Sequence, residues 1–221
     1  MRRLTVLGIA AAFAVVMSGT AFATPITTLS PLSSNGSRAF AVFVFSEAAD
    51  SLNLGEASPN GISNIFCNHS NGSCTAAAIG QTVDLGITAP GLIFSLTDVS
   101  VANIFRTDAF AADGYAHDLV SATVDASDPG AVAAAYALYG QGALPSAAAA
   151  SIAALGLSPE TVVTFVGWED RLNGDYDYND LIFAFTDPPA ELDEPATLAL
   201  FGIGLFSFGM FRRYGSQSRS V

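Results

Sequence analysis

Short apolar runs punctuated by Gly, Pro, Asn and Asp fill the middle of the chain. The clearest run, residues 39–45, reads Ala-Phe-Ala-Val-Phe-Val-Phe. It is rich in aromatic and β-branched residues and apolar on both faces, which is typical of a strand in the middle of a β-sandwich. The same criteria predict further strands at 81–87, 92–96, 101–107, 119–124, 161–167 and 180–186. Together these short strands predict a mainly β fold, a single jelly-roll-like sandwich over residues 24–186.

Residues 129–158 depart from the strand pattern because alanine dominates them. Within this segment, 131–139 and 146–155 have the composition of short helices, and Gly140-Gln141-Gly142 separates them. We therefore expect a helical insertion that packs on the sandwich or at its edge.

The N-terminus has the features of an export signal. Arg2 and Arg3 precede an apolar run over 4–17, and Ala21-Phe22-Ala23 follows it. A cationic start, an apolar stretch and a small-x-small site in this order are typical of a secretory signal peptide. Residues 1–23 are thus predicted to be a signal peptide that is removed after Ala23, and the chain is predicted to be exported.

The C-terminal region carries a second apolar segment. Residues 198–211 have no charge, and Arg212 and Arg213 follow at once. A transmembrane helix over 196–211 would be ~24 Å long, which is short of the ~30 Å hydrocarbon core but sufficient for a thin or pinched bilayer. The arginines would hold the cytoplasmic side, with 214–221 as a short cytoplasmic tail. A buried core helix is the alternative, but such a helix is not normally apolar on every face.

The segment 194–213 resembles the PEP-CTERM sorting signal, which combines a Pro-Glu-Pro motif, a Gly-rich hydrophobic helix and a C-terminal arginine cluster. Glu194-Pro195 is present, whereas Asp193 stands where the first proline of that motif belongs. The resemblance implies processing by an exosortase, a membrane transpeptidase or protease of bacteria that make exopolysaccharide. It also implies transient anchoring in the membrane through the C-terminal helix, followed by delivery to the cell surface or extracellular matrix. Residues 187–193, which include two prolines, should form an extended linker before this signal.

The middle of the chain is strongly acidic. All twenty acidic residues lie between Glu47 and Glu194, and the chain has no lysine. From Thr24 to Glu194, three arginines oppose these twenty acids, which gives a formal charge of about −17. Such a domain repels nucleic acid and anionic lipid surfaces and attracts divalent cations.

Cys67 and Cys74 are the only cysteines, and they bracket the polar loop 68–73. In the oxidising environment outside the cytoplasm, two such residues are expected to form a disulfide. A zinc site is the alternative, but two cysteines and one histidine supply too few ligands at the wrong spacing.

The segment from Glu169 to Asp180 concentrates groups that can bind a metal. Its candidate ligands are Glu169, Asp170, Asp175, Asp177, Asn179 and Asp180. Carboxylates this close repel one another unless a cation lies among them, and several hard oxygen donors favour calcium. Asp175-x-Asp177-x-Asn179 matches the start of an EF-hand loop, but Asp180 replaces the required glycine and no glutamate follows at the twelfth position.

Acidic and aromatic residues alternate in this segment. The pattern predicts a turn that enters the strand after Asp180, with the acids on one face and Tyr176 and Tyr178 on the other. The alternative is a solvated acidic turn whose side chains make only Asx hydrogen bonds. The sequence is compatible with both.

The same segment resembles a known domain. Gly167-Trp168-Glu169-Asp170, a glycine-bearing turn and Asp177-Tyr178-Asn179-Asp180 are similar to a domain of unknown function that recurs in secreted adhesin-like and PEP-CTERM proteins. Asp113-Gly114-Tyr115-Ala116-His117-Asp118-Leu119-Val120 resembles a second motif of that family. The resemblance covers about 106–186 and implies a β-rich extracellular domain with calcium binding and no assigned catalysis. If the flanking strands pair, His117 should donate a hydrogen bond to a carboxylate of the acidic segment.

The predicted function is that of an exported, non-catalytic surface or matrix protein with a structural or adhesive role, stabilised by calcium. The alternative is a secreted carbohydrate-active enzyme, in which Glu169 and Asp175 would form the carboxylate pair and Trp168 the aromatic platform for a sugar. The sequence contains no Gly-x-Ser-x-Gly, His-Glu-x-x-His or phosphate-binding loop. The non-catalytic prediction is therefore preferred.

Overall fold

A computed structural model describes residues 24–30, 32, 34, 36–88, 91–156 and 160–187. These residues form ten strands: β1 Arg38–Phe45, β2 Leu52–Ser58, β3 Phe66–Cys67, β4 Thr82–Ile87, β5 Ile93–Asp98, β6 Asn103–Arg106, β7 Asp118–Val120, β8 Val124–Asp125, β9 Val162–Trp168 and β10 Leu181–Asp187. Two helices, α1 Pro129–Tyr136 and α2 Ser146–Leu155, lie between β8 and β9.

The strands form two antiparallel sheets, which confirms the predicted mainly β fold. The six-stranded sheet has the order β4-β1-β10-β9-β7, and β8 also pairs with β9. The four-stranded sheet has the order β3-β2-β5-β6. Six of the predicted strands agree with β1, β4, β5, β6, β9 and β10 to within two residues at each end.

The strands β1, β9 and β10 are apolar along most of their length because both faces of the six-stranded sheet are buried. On one face, Phe43 and its alternate neighbours join a core shared with the four-stranded sheet, here called the inter-sheet core. There Phe94 of β5 meets Phe183 of β10 with 4.6 Å between ring centroids. On the other face, Val42 and Ile182 join the helix-side core, which includes residues of α1 and α2. Burial of alternate residues in two different cores explains the continuous apolar runs.

The two helices occupy the predicted insertion, with one difference in bounds. Helix α1 begins two residues before the predicted start because Asp128 caps it: its Oδ1 accepts hydrogen bonds from the second and third backbone N–H groups at 2.8 and 3.1 Å. The prediction of a helix over 131–139 is wrong at its end, where Ala137–Tyr139 forms a 3₁₀ turn. Gly140 stops this turn in the left-handed conformation. Helix α2 has the predicted bounds.

Strands β2 and β3 were not predicted from the sequence. The β2 sequence, Leu-Asn-Leu-Gly-Glu-Ala-Ser, contains a glycine and three polar residues, so its composition does not indicate a strand. Leu52 and Leu54 nevertheless lie fully buried in the inter-sheet core. Strands β3 and β5 pair with the backbone of β2 on either side. Sheet pairing and core burial thus outweigh the weak local propensity.

The predicted single strand 119–124 is wrong, because the chain forms the two shorter strands β7 and β8 along one edge of β9. Ser121 separates them. Its Oγ accepts a hydrogen bond from Phe165 N at 3.0 Å, and its own N–H donates to Phe165 O at 3.0 Å. A side-chain hydroxyl here replaces a backbone acceptor and interrupts the regular ladder.

Several predicted segments lie outside the described residues. They are the signal peptide 1–23, most of the linker 187–193, the sorting signal 194–213 with Glu194, Pro195, Arg212 and Arg213, its helix 196–211, and the tail 214–221. Within the described part of the chain, no helix is both long enough and apolar enough to cross a membrane.

Cys67 and Cys74 are joined by a disulfide, with 6.1 Å between their Cα atoms. Asn71 N donates to Cys74 O at 2.9 Å and Cys74 N donates to Asn71 O at 3.3 Å, so the enclosed loop is a tight turn. Both sulfur atoms are bonded to each other, which leaves neither as a thiolate for zinc.

Removing this disulfide should lower the free energy of unfolding by about 2–3 kcal/mol, because closing a short loop restricts the unfolded chain modestly. Denaturant unfolding of the Cys67→Ala/Cys74→Ala variant should show this loss, and reduction of the native protein should cause a comparable one. Alkylation of both thiols in unreduced, unfolded protein would contradict the pairing.

Candidate metal centre

Residues 169–180, here called the acidic turn, connect β9 to β10 within the six-stranded sheet. The strand ends are paired, with Trp168 opposite Leu181, and Asp180 N donates to Trp168 O at 3.1 Å. Asp180 Oδ2 in turn accepts a hydrogen bond from Asp170 N at 2.8 Å. The two ends of the acidic turn are therefore held together, and its acidic side chains come from one compact loop.

The backbone of the acidic turn is unusual for residues that are not glycine. Asn173, Tyr176 and Tyr178 all have φ of 56°, a left-handed conformation that costs about 1–2 kcal/mol per residue. Burial of the tyrosine rings in the helix-side core offsets this cost. Tyr178 OH also accepts a hydrogen bond from Ile26 N at 3.1 Å. The tyrosines thus point into the protein, while Asp175 is exposed and Asp177 and Asp180 are half-buried.

Five of the predicted ligands converge in two overlapping triads. One carboxylate oxygen each from Glu169, Asp175 and Asp177 lies within 4.8 Å of the other two. The same holds for Glu169, Asp170 and Asp180. Glu169 belongs to both triads and is only 2% exposed, so the other four carboxylates surround a buried Glu169.

The position of Glu169 depends on the backbone around it. Its Oε1 accepts a hydrogen bond from Arg171 N at 3.2 Å, and its Oε2 accepts one from Tyr176 N at 2.9 Å. Gly174 allows the carboxylate to approach, because a Cβ atom at this residue would collide with Glu169 Oε1. Gly174 therefore leaves free the space that the Glu169 carboxylate occupies.

Four carboxyl groups of the acidic turn are hard to ionise. Burial, the nearby Asp180 and a hydrogen-bond contact with Asp175 raise the pKa of Glu169 to about 8. Burial and the charges of Asp170 and Asp177 raise the pKa of Asp180 to about 7. Burial is likewise the main cause that raises the pKa values of Asp170 and Asp177. At neutral pH, bound protons or a cation must therefore offset the repulsion among these carboxyl groups.

Asn179 supports a ligand within the acidic turn. Its Nδ2 donates to Asp177 Oδ2 at 2.6 Å, and its backbone N donates to Asp177 Oδ1 at 3.4 Å. Asn179 is buried and orients the Asp177 carboxylate.

His117 anchors the acidic turn to the preceding part of the chain. Its Nδ1 lies 3.0 Å from the backbone carbonyl oxygen of Glu169, and its Nε2 lies 3.0 Å from Asp113 Oδ2. The ring stacks on Phe105 with 4.3 Å between centroids. His117 thus meets the acidic turn through a backbone atom, and the carboxylate that it contacts belongs to Asp113.

Asp113 is a site residue that was not singled out from the sequence as a ligand or support. Its Oδ2 accepts hydrogen bonds from Asn173 N at 3.0 Å and Tyr176 OH at 3.2 Å. Burial acts to raise the pKa of Asp113, but the hydrogen bonds from Asn173 N, His117 and Tyr115 N outweigh it and lower that pKa. Its place in the motif shared with His117 was the only signal in the sequence.

A cleft of about 470 Å³ gives access to the acidic turn. It is lined by Glu47, Ala48, Ala49, residues 169–175 and Asp180. Four of the predicted ligands, Glu169, Asp170, Asp175 and Asp180, lie on its wall. Trp168 is fully buried beneath the turn, so it is not at the surface as a platform for a sugar.

No known protein family matches the chain. No curated protein is significantly similar to it either. The chemistry of the site is therefore inferred from its donor atoms. Clustered carboxylate oxygens are hard ligands, and they suit calcium or magnesium better than the transition metals that prefer nitrogen and sulfur.

Proposed function

We propose that this chain is an exported, non-catalytic protein of the cell surface or exopolysaccharide matrix, with a structural or adhesive role. In this proposal its β domain is a jelly-roll-like sandwich that calcium stabilises at the acidic turn. The observation that carries the calcium proposal is the convergence of Glu169, Asp175 and Asp177, the first two of which line a solvent-accessible cleft. Export and sorting by an exosortase are proposed from the two chain ends, with Ala21-Phe22-Ala23 and Glu194-Pro195 as the processing motifs.

Calcium fits the acidic turn for a charge reason and a geometric reason. Carboxylates that repel one another at close range gain most from a divalent ion. Calcium accepts 6–8 oxygen ligands in a flexible shell, so backbone carbonyls and water can complete the coordination that the carboxylates begin. Extracellular sites of this kind have dissociation constants of ~10⁻⁴ to 10⁻³ M, which suits a protein that meets calcium after export.

Calcium bound at the acidic turn would stabilise the fold because of where the turn lies. The turn connects β9 and β10, and β10 pairs with both β1 and β9 in the six-stranded sheet. An ion that holds Glu169 and Asp180 therefore fixes the paired ends of two inner strands. We expect the domain to be less stable in a calcium-poor cytoplasm and to gain stability outside the cell.

Calcium should raise the melting temperature of the full chain, purified in detergent, by about 3–6 °C. The estimate follows from linkage at a calcium concentration tenfold above the dissociation constant, which adds about 1.4 kcal/mol. Asp177→Asn should show a smaller shift because it removes a ligand of the acidic turn. Asp125→Asn, a matched change at an exposed residue outside the triads, should retain it. Identical native melting curves in calcium and in chelator would instead support the solvated-turn alternative.

The proposal of export and sorting predicts that the chain is cleaved near both ends. Intact-mass analysis of protein recovered from an exosortase-competent host should show a chain that begins at Thr24 and lacks all residues from 198 onward. Protein that still starts at Met1 would contradict export, and a mature species that retains the C-terminal segment would contradict sorting by an exosortase.

A further inference from the structure

A second group of acidic side chains lies beside the acidic turn. Asp98 ends β5 of the four-stranded sheet, Asp170 follows β9 of the six-stranded sheet, and Asp50 lies between β1 and β2. One carboxylate oxygen from each residue lies within 4.8 Å of the other two. This inter-sheet cluster therefore joins residues of both sheets.

The environment of Asp98 provides a second, independent observation that points to a bound cation. The residue is fully buried, and its Oδ1 accepts a hydrogen bond from Ser100 N at 2.8 Å. Its Oδ2 is buried as well, yet it accepts no hydrogen bond from any residue that the structure describes. Buried carboxylate oxygens are normally satisfied by a donor or a cation. Because the Asp98 carboxylate belongs to the cluster, a cation bound there would supply the missing partner.

Arg171 offsets only part of the charge in the inter-sheet cluster. Its guanidinium lies 2.8 Å from Asp50 Oδ2 and 3.8 Å from Asp170 Oδ1. Its side chain is 65% exposed, and among the described residues it forms no ion pair with Asp98. Three carboxylates and one guanidinium leave two formal negative charges, which a divalent cation would balance.

We propose that Asp50, Asp98 and Asp170 bind a divalent cation of their own and that this ion is calcium. Oxygens bound to one calcium at ~2.3–2.6 Å can lie up to ~5 Å apart, which accommodates the spacing of the cluster. Magnesium binds at ~2.0–2.1 Å in a near-ideal octahedron and gives up its water reluctantly, so a site built from three protein carboxylates suits it less well. The cleft beside the acidic turn reaches Asp170 and Arg171, and water from it can complete the shell.

The inter-sheet site has a structural consequence that differs from that of the acidic turn. An ion there connects the end of β5 to the end of β9 and so links the two sheets directly. Asp170 is the only carboxylate that the inter-sheet cluster shares with the two triads of the acidic turn. Variants of Asp98 and Asp177 therefore test the two sites separately.

Calcium binding to the full chain, purified in detergent without calcium, can be counted by equilibrium dialysis with radioactive calcium. Asp98→Asn keeps the shape of the side chain and should bind one ion fewer than the native protein. Asp50→Asn should have the same effect. Asp177→Asn should lose a different ion, so that its loss adds to that of Asp98→Asn in the double variant. Asp125→Asn should bind as many ions as the native protein.

Thermal unfolding separates ion binding from a purely structural role of Asp98. In chelator, Asp98→Asn should melt at or above the native temperature, because it removes a buried and incompletely balanced charge. In calcium it should melt below the native protein. Unchanged stoichiometry would overturn the inter-sheet site, and a lower melting temperature in both solutions would then show that Asp98 has a structural role alone. If Asp98→Asn loses an ion while Asp177→Asn loses none, the inter-sheet site stands and the calcium proposal for the acidic turn fails.

Discussion

Calcium should bind the acidic turn on the order of several hundredfold more tightly at pH 8 than at pH 6. The pKa of Glu169 is raised to about 8 and that of Asp180 to about 7, so both groups carry protons at pH 6. Calcium must displace these protons, and the required displacement becomes smaller as the pH rises through the two pKa values. If both groups must ionise, ionisation of Glu169 contributes about 50-fold and that of Asp180 about tenfold to this change in affinity.

The same pKa shifts contribute to the pH dependence of stability without calcium. A carboxyl group with a raised pKa in the folded state binds protons more strongly there than in the unfolded chain. The stability that these protons contribute is present at acidic pH and is lost as the pH rises through about 7 and 8, the pKa values of Asp180 and Glu169. The melting temperature in chelator should therefore fall between pH 6 and 9, and calcium should reduce this fall.

Calorimetric calcium titrations at pH 6, 7 and 8 would measure the first effect. Asp118→Asn is a suitable control, because burial raises the pKa of Asp118 to about 7 although this residue belongs to none of the carboxylate triads. The variant should keep the native pH dependence of calcium affinity. Equal affinities of the native protein at pH 6 and pH 8 would contradict the proposed role of Glu169 and Asp180.

The Gly167→Ala variant should lose about 3 kcal/mol of unfolding free energy, at the upper end of the cost of overpacking. A Cβ atom at Gly167 would collide with the backbone oxygen of Tyr178 and with the Tyr139 ring. Neither neighbour can move easily. Tyr139 OH donates to Leu119 O at 2.9 Å, and Tyr178 holds a left-handed backbone conformation within the acidic turn.

Denaturant unfolding would measure this loss, with Gly72→Ala as the matched control. A Cβ atom at Gly72 has no atom of the described chain within 4 Å, so the control should change stability by less than about 0.5 kcal/mol. Calcium should also stabilise Gly167→Ala less than the native protein, because the substitution displaces the acidic turn. Equal stabilities of the two alanine variants would show that the close packing at Gly167 has no energetic importance.

Much of the six-stranded sheet was predictable because its strands are locally distinctive. The run 39–45 is apolar on both faces, and the structure places β1 between two cores. Strand β2 was not predictable, since Leu52 and Leu54 sit among polar residues and only the neighbouring strands identify them as core. Long-range pairing decides such elements, and a local pattern carries little information about it.

The acidic turn was predictable for a similar reason, because its carboxylates are contiguous in sequence. Its left-handed tyrosines were not, since alternation of acidic and aromatic residues indicates opposite faces but no value of φ. Asp50 and Asp98 were not predicted as ligands either. Each is a single acidic residue without a motif, and only the approach of the two sheets brings them to Asp170.

Anomalous X-ray diffraction from crystals grown in about 10 mM calcium, above the expected dissociation constant, would test the central claim most directly. Data collected at a long wavelength should show an anomalous peak among the carboxylates of Glu169, Asp175 and Asp177. The peak should be absent from crystals of Asp177→Asn. A native map without a peak at the acidic turn, with Glu169 still hydrogen-bonded to the backbone N–H groups of Arg171 and Tyr176, would contradict calcium binding there.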